Sequence, residues 1–163
     1  FKDTRTLEVY HRKVFTSKWL HLKSYEFSAF SGVIGPKLKE GDKQIPEGVY
    51  SAESLNPNSS YHLSIRVNYP NDYDKNKAQE DGRTNLGGDI MIHGKNVTIG
   101  CIPLGDKNIE ELFYLAAKTF NYQLPIIIAP SDFRKASDFP KLNEPRWSNE
   151  LYETIAKSLK NYE

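Results

Sequence analysis

The chain has 163 residues, 38% hydrophobic and 26% charged, which is enough for one domain with a sizeable core and is the composition of an ordinary soluble globular protein. Lysine and arginine total 22 against 21 aspartates and glutamates, so the net charge of +1 gives no electrostatic reason to expect nucleic acid or an anionic membrane surface as a partner. No apolar run approaches the ~18 residues of a membrane span, and a single cysteine excludes both an internal disulfide and a four-cysteine zinc site.

The first two-thirds of the chain reads as strands and loops. Residues 6–11, 19–27, 47–53 and 61–67 alternate apolar with polar residues or are aromatic and β-branched, and Gly32, Gly35-Pro36, Gly41 and Asn56-Pro57-Asn58 punctuate them. Residues 71–81 are polar and read as a short helix or loop starting after Pro70, either a rim beside a site or solvated surface. After Asp106, the residues Ile109, Leu112, Phe113, Leu115, Ala116 and Phe120 recur at helical spacing, with Glu110 and Glu111 expected in the first turn, which predicts a core-facing helix over 107–121. Residues 123–129 read as a buried strand opened by Pro125. Residues 131–146 read as irregular, and 147–160 as a helix capped by Ser148 or Asn149, with Trp147, Leu151, Ile155 and Leu159 on one face.

The chemistry concentrates in a short stretch where His93-Gly94 precedes Gly100-Cys101 by a fixed interval. If 89–93 and 97–101 were adjacent antiparallel strands or strand ends joined around 94–96, a turn centred near Val97 would place His93 and Cys101 directly opposite, with Cβ atoms roughly 5 Å apart. That is close enough for imidazole to take the thiol proton, as nucleophilic catalysis needs. Gly100 would admit a substrate carbonyl, and the amides of Gly100 and Cys101 would form an oxyanion hole. The carbonyl of Gly94 or a neighbour would accept the other imidazole N–H and fix the tautomer. On this reading His93 lines a cleft rather than filling the core. Two bland readings stand beside it: a lone cysteine is often a small buried apolar residue, and a His-Gly pair is often a strand end. A zinc hydrolase site assembled from His93, Cys101, His62 and Asp89 lacks the local ligand spacing that makes such sites recognisable. His11, His21 and His62 read as surface or satisfied residues.

The stretch Ile92-His-Gly-Lys-Asn-Val-Thr-Ile-Gly-Cys101, followed by Ile102-Pro-Leu-Gly-Asp106, resembles the signature of the L,D-transpeptidase catalytic domain (YkuD-type), in its short-loop YafK-like branch. Phe30-Ser-Gly-Val-Ile-Gly-Pro-Lys37, Glu40-Gly-Asp42 and Ile45-Pro-Glu-Gly-Val-Tyr50 resemble that family's upstream segment, and Asn68-Tyr-Pro-Asn-Asp-Tyr-Asp74 resembles a third block. The likeness covers roughly residues 5–130, with the blocks in the family's order.

The resemblance implies a mostly-β fold, a β-sandwich of the L,D-transpeptidase type with flanking α-helices, in which residues 1–130 form the catalytic domain and 131–163 a C-terminal extension with a helix packed on it. It implies a cysteine acyltransferase acting on peptidoglycan stem peptides through a thioacyl-enzyme, with a second stem, a free D-amino acid or a lipoprotein as acyl acceptor. A hydrolase of the same fold and an inactive binding module of cell-wall peptides remain alternatives. Cys101 then matches the nucleophile, His93 the base and Gly94 the carbonyl that orients it. Tyr69, Tyr73, Arg83, Lys95 and Ser31 are candidate substrate contacts. No cofactor or metal is implied. The setting implied is the periplasm or cell envelope and cell-wall biogenesis, with a role in cell shape, and an upstream signal or anchor before Phe1 is expected. One departure stands out: Ile99 replaces the histidine common in the family, and Ile102-Pro103 occupies the place of its arginine. Lys95, Arg83, Arg66 or Lys37 would have to supply that positive charge.

Overall fold

The computed structural model describes residues 1–13, 18–120, 124–136 and 138–163. Strands β1 (Thr6–His11) and β2 (Leu20–Glu26) form an antiparallel two-stranded sheet, with a bulge between Val9 and Tyr10. The second sheet has five strands in the order β6-β5-β4-β3-β7, built from β3 (Gly48–Ser59), β4 (His62–Val67), β5 (Met91–His93), β6 (Ile102–Pro103) and β7 (Pro125–Ile128). The long β3 changes partner along its length, pairing with β7 over Gly48 to Ser51 and with β4 from Ala52 onward, with a register shift at the changeover. A bulge there bends the strand and increases local twist, so the sheet curls around its contents.

Side-chain alternation decides which face is core. Ile65, Val67, Ile90, Ile92, Ile102 and Leu104 point inward, where they meet Ile109, Leu112 and Ala116 of helix α2 (Asp106–Thr119) and Tyr25 of β2. Between the two sheets lies an apolar cavity of about 670 Å³, lined by Leu7, Val9, Ile65, Ile92, Ile102 and Leu112 among others. Helix α3 (Ser148–Leu159) buries Leu151, Tyr152, Ile155 and Leu159 in a second cluster with Ala129, Val49 and Ile127, and so covers the β3 and β7 side. A short 3₁₀ turn (Lys160–Tyr162) follows. Helix α1 (Asp72–Glu80) starts on a capping box between Asn71 and Asp74. Among the described residues, no helix is long and apolar enough to cross a membrane.

Several expectations shift. The segment 89–101 is not a hairpin: β5 and β6 run parallel, pairing Ile92 with Ile102 and His93 with Pro103, and 97–101 form no strand. Lys95 (φ 58°) turns the chain away, and it returns through Gly100 (φ 137°) to start β6 level with β5 rather than folding back against it. Helix α2 begins at Asp106, so Glu110 and Glu111 lie beyond its first turn and instead pair with His62 (2.7 Å) and Lys23 (2.5 Å). The expected helix end at Asn121 and strand start at Gln123 fall outside the described residues. Pro125 is exposed and β7 is an edge strand, only Ile128 of it being fully buried. Helix α3 is N-capped by Trp147 without a side-chain bond, not by Ser148 or Asn149.

Buried charge organises the loop between β2 and β3. Lys2 Nζ donates to the carbonyls of Gly35 (2.8 Å) and Ile45 (2.9 Å) and pairs with Glu47 at 2.9 Å. Glu47 also accepts the Gly35 amide (2.7 Å) and the Tyr152 hydroxyl (2.8 Å). The N-terminus, this loop and α3 are thereby tied at one point, with each buried charge given a partner.

Candidate active site

The parallel pairing of β5 and β6 puts Met91, His93, Cys101 and Pro103 on the face opposite the Ile92 and Ile102 core face. Cys101 therefore shares a face with His93 but sits one diagonal step from it, toward Met91, rather than directly across. Among the described residues no hydrogen bond joins the two. The thiol donates to the Asp89 carbonyl at 3.4 Å. Burial pushes the thiol pKa up and the Asp89 carboxylate adds to this, while the Met91 amide and the Lys37 ammonium pull part of it back.

His93 is 2% exposed, so it is covered rather than lining an open cleft. Its Nδ1 donates to the Gly94 carbonyl at 2.5 Å, which leaves Nε2 as the ring's free acceptor. Tyr61 packs against it, with ring centroids 4.7 Å apart. Burial lowers the proton affinity of His93 against the opposing pull of the Gly94 carbonyl, so the ring is neutral at pH 7 and can accept a proton. Gly94 is required sterically: a Cβ there would lie 2.7 Å from both Asp106 Oδ1 and the Tyr61 carbonyl. Asp106 also accepts the Lys95 amide at 2.7 Å, and Gly105 N–H donates to the Lys95 carbonyl at 3.0 Å, locking the exit from β5.

The entry to Cys101 is held just as closely. Thr98 Oγ1 accepts the Gly100 amide (3.1 Å) and donates to the Cys101 carbonyl (2.7 Å). The Gly100 N–H is thus engaged within the loop, and the Cys101 N–H is the donor left uncommitted among the described residues. A Cβ on Gly100 would meet the Gln44 carbonyl at 3.1 Å, and Gln44 Oε1 accepts the Val33 amide at 2.8 Å, so the 32–44 loop forms the adjoining wall. Val33, Val97 and Ile99 stand exposed around it, Ile99 at 78%.

The remaining expected contacts are dispersed. Tyr69 is buried, with its hydroxyl on the Leu86 carbonyl (3.0 Å). Tyr73 faces α3, reaching Glu150 at 3.4 Å. Arg83 is held by Asp81 (2.9 Å) and the Leu38 carbonyl (2.8 Å). Ser31 Oγ is buried without a hydrogen-bond partner. Of the cations that could replace the missing arginine, Lys37 pairs with Asp42 (2.6 Å) and Arg66 with Glu53 (2.6 Å) and Asp89. Lys95 Nζ reaches only the Ser60 carbonyl (2.6 Å) and the Tyr61 ring, with no carboxylate partner among the described residues. Asp89 turned to Arg66 and His62 turned to Glu110 do not converge with His93 and Cys101, and no three His, Cys, Asp or Glu groups among the described residues gather as a metal site. The large apolar cavity is lined by neither Cys101 nor His93. Sequence reasoning missed Tyr61, Asp106, Thr98 and Gln44. Only Thr98 left a local signal, because a threonine shortly before a Gly-Cys pair is placed to bond its own backbone.

The family model of the YkuD L,D-transpeptidase catalytic domain matches residues 3–128. YafK of Escherichia coli (strain K12) is 34% identical over 129 residues, covering 78% of this chain and 49% of that protein, and YafK of Escherichia coli O157:H7 gives the same values. The helical cell shape determining protein Pgp2 from Campylobacter jejuni superposes with a TM-score of 0.63 at 22% identity, covering 97% of this chain and 52% of its own. Bd1075 of Bdellovibrio bacteriovorus superposes at 0.51 and 20% identity, covering 99% and 52%. At those identities the two structures establish a shared sheet-dominated fold, and the chain spans about half the length of the curated relatives it matches. With both the fold and the greater part of the sequence in agreement, the chain belongs to the L,D-transpeptidase catalytic domain family.

Proposed function

We propose that this chain is a cysteine-dependent L,D-transpeptidase of the bacterial cell envelope that acts on peptidoglycan stem peptides, with residues 1–130 as the catalytic unit and 131–163 as its extension. The observation that carries the reading is the state of His93: neutral, its Nδ1 engaged by the Gly94 carbonyl, its Nε2 free, on the same sheet face as Cys101. Substrate binding draws Sγ off the Asp89 carbonyl toward Nε2. As Sγ attacks the carbonyl carbon of the third stem residue, its proton passes to Nε2, and the Cys101 amide stabilises the oxyanion. Collapse breaks the C–N bond, and the departing D-amino acid takes the proton from Nε2. An acceptor amine then attacks the thioester, gives its proton to Nε2 and forms the new amide, and the thiolate leaves and recovers the proton. Lys95, lacking an acidic partner among the described residues, supplies the charge that meets a stem carboxylate.

The test is incubation with purified tetrapeptide stems, with and without excess glycine, and product masses as the readout. A transferase gives exchanged tetrapeptide, and a hydrolase of the same fold gives tripeptide whatever the acceptor. Activity that survives Cys101→Ala, or that is lost on chelation with EDTA, overturns the mechanism. A stem that binds without either product forming establishes a binding module instead.

A further inference from the structure

In the proposed reaction the departing amine takes its proton from His93 Nε2 as the C–N bond breaks, so that amine stands beside His93 when it leaves. A charge held next to His93 therefore meets whatever group the carbon of that amine carries, and in a terminal amino acid this group is a carboxylate. The charge held there is an ammonium. Tyr61 packs on the His93 ring with centroids 4.7 Å apart, is 43% exposed and so open to a ligand, and carries Lys95 Nζ 5.8 Å from its own centroid. Nζ also donates to the Ser60 carbonyl at 2.6 Å, and it has no carboxylate partner among the described residues. The root of this side chain is fixed. The Lys95 backbone is left-handed (φ 58°), its amide donates to Asp106 Oδ1 (2.7 Å), and its carbonyl accepts from the Gly105 amide (3.0 Å) and Ser28 Oγ (2.7 Å). Lys37, Arg66 and Arg83 each face a carboxylate instead, of Asp42, Glu53 and Asp81. An ammonium resting on a carbonyl and an aromatic face keeps its full charge for an anion from outside.

We propose that Lys95, held on Tyr61, is the specificity-determining residue for the leaving group: it binds the free carboxylate on the carbon next to the departing nitrogen. This rests on the thioacyl reading above and narrows it. With the amine at Nε2, the carboxylate lies along the exposed Tyr61 ring toward Nζ. The preferred substrate is then a stem that ends in a free D-amino acid, whose amine and carboxylate share one carbon. An amidated stem end lacks the anion, and so does a lysine side chain attached through its amine, as in a protein linked to the stem. Both are disfavoured whether a new amine or water resolves the thioester.

The first measurement needs no turnover. Calorimetric titration of the Cys101→Ala protein with a tetrapeptide stem and with its C-terminal amide should show the acid binding about tenfold tighter, the size of one charge-assisted contact at an exposed site. The ratio should shrink between about 0.1 M and about 0.5 M salt as the charges are screened. Adding Lys95→Gln should remove the preference and Lys95→Arg should keep it, with thermal unfolding unchanged in both. With Cys101 intact, release of D-Ala from the acid and of D-alaninamide from the amide, read by mass, should differ by about tenfold in kcat/KM, carried by KM, and Lys95→Gln should close that gap. Equal binding of acid and amide, or a preference that survives Lys95→Gln, overturns the proposal. A wild-type protein that binds the acid with this Lys95-dependent preference but releases no D-Ala supports the carboxylate subsite and overturns the thioacyl reaction instead.

Discussion

Replacing His93 by glutamine tests the proposed division of labour between the two site residues, because glutamine occupies similar space in a covered position but cannot take a proton at neutral pH. An ordinary cysteine near 8.5 is about 3% thiolate at pH 7, and Cys101 is less ionised than that because burial raises its pKa. On the proposed mechanism, attack at pH 7 therefore depends on His93 removing the proton during the step, a contribution of about 10²–10⁴-fold, or about 3–5 kcal/mol. The sign of the pH dependence follows. The base works when neutral, and burial lowers its pKa, so wild-type kcat/KM should hold to more acid pH than an unperturbed histidine near 6.5 would allow. In His93→Gln the rate depends on the thiolate population and should climb about tenfold per pH unit until the raised thiol pKa is reached, closing the gap to wild type from the alkaline side. D-Ala release from tetrapeptide, followed by mass spectrometry from pH 5 to 10, reads both profiles. A variant equal to wild type at pH 7, or a gap that stays constant with pH while thermal unfolding is unchanged, would refute the assignment of His93 as the base.

Gly94→Ala forces a Cβ to within 2.7 Å of Asp106 Oδ1 and the Tyr61 carbonyl, and relief of that overlap should cost about 1–3 kcal/mol, seen as a melting point lower by about 2–12 °C. Glu47→Ala leaves Lys2 as an unpaired buried charge and should destabilise by about 3–5 kcal/mol at pH 7. Because burial already lowers the Lys2 pKa, the folded variant sheds that proton before the unfolded chain does, so denaturant titrations should show the deficit shrinking toward pH 10. Asp74 has its pKa raised to about 6, chiefly by burial, so the folded state binds the extra proton. Stability should fall as pH rises from about 4 to 6, and Asp74→Asn should flatten that slope.

Local pattern carried most of the elements. Alternation announced β1 to β4, and the spacing of Ile109, Leu112 and Ala116 announced α2, because each element buries one face whose period is set by its own backbone. Cys101 and His93 stood out as candidates because cysteine and histidine are scarce in the chain, and with Gly94 their order resembles a family signature. What the sequence determined by itself was therefore the identity of the candidate reacting groups and the period of the segments that hold them. The tertiary structure decided their relation. Parallel pairing set the thiol one diagonal step from the imidazole and gave it the Asp89 carbonyl as its resting partner, and packing brought Tyr61, Asp106 and Gln44 from distant segments to cover and brace the site. Among the described residues it also decided which cations near the site were already neutralised by pairing, leaving Lys95 without a carboxylate partner. Strand direction and cross-chain contacts depend on residues far apart in sequence, and no local period records them.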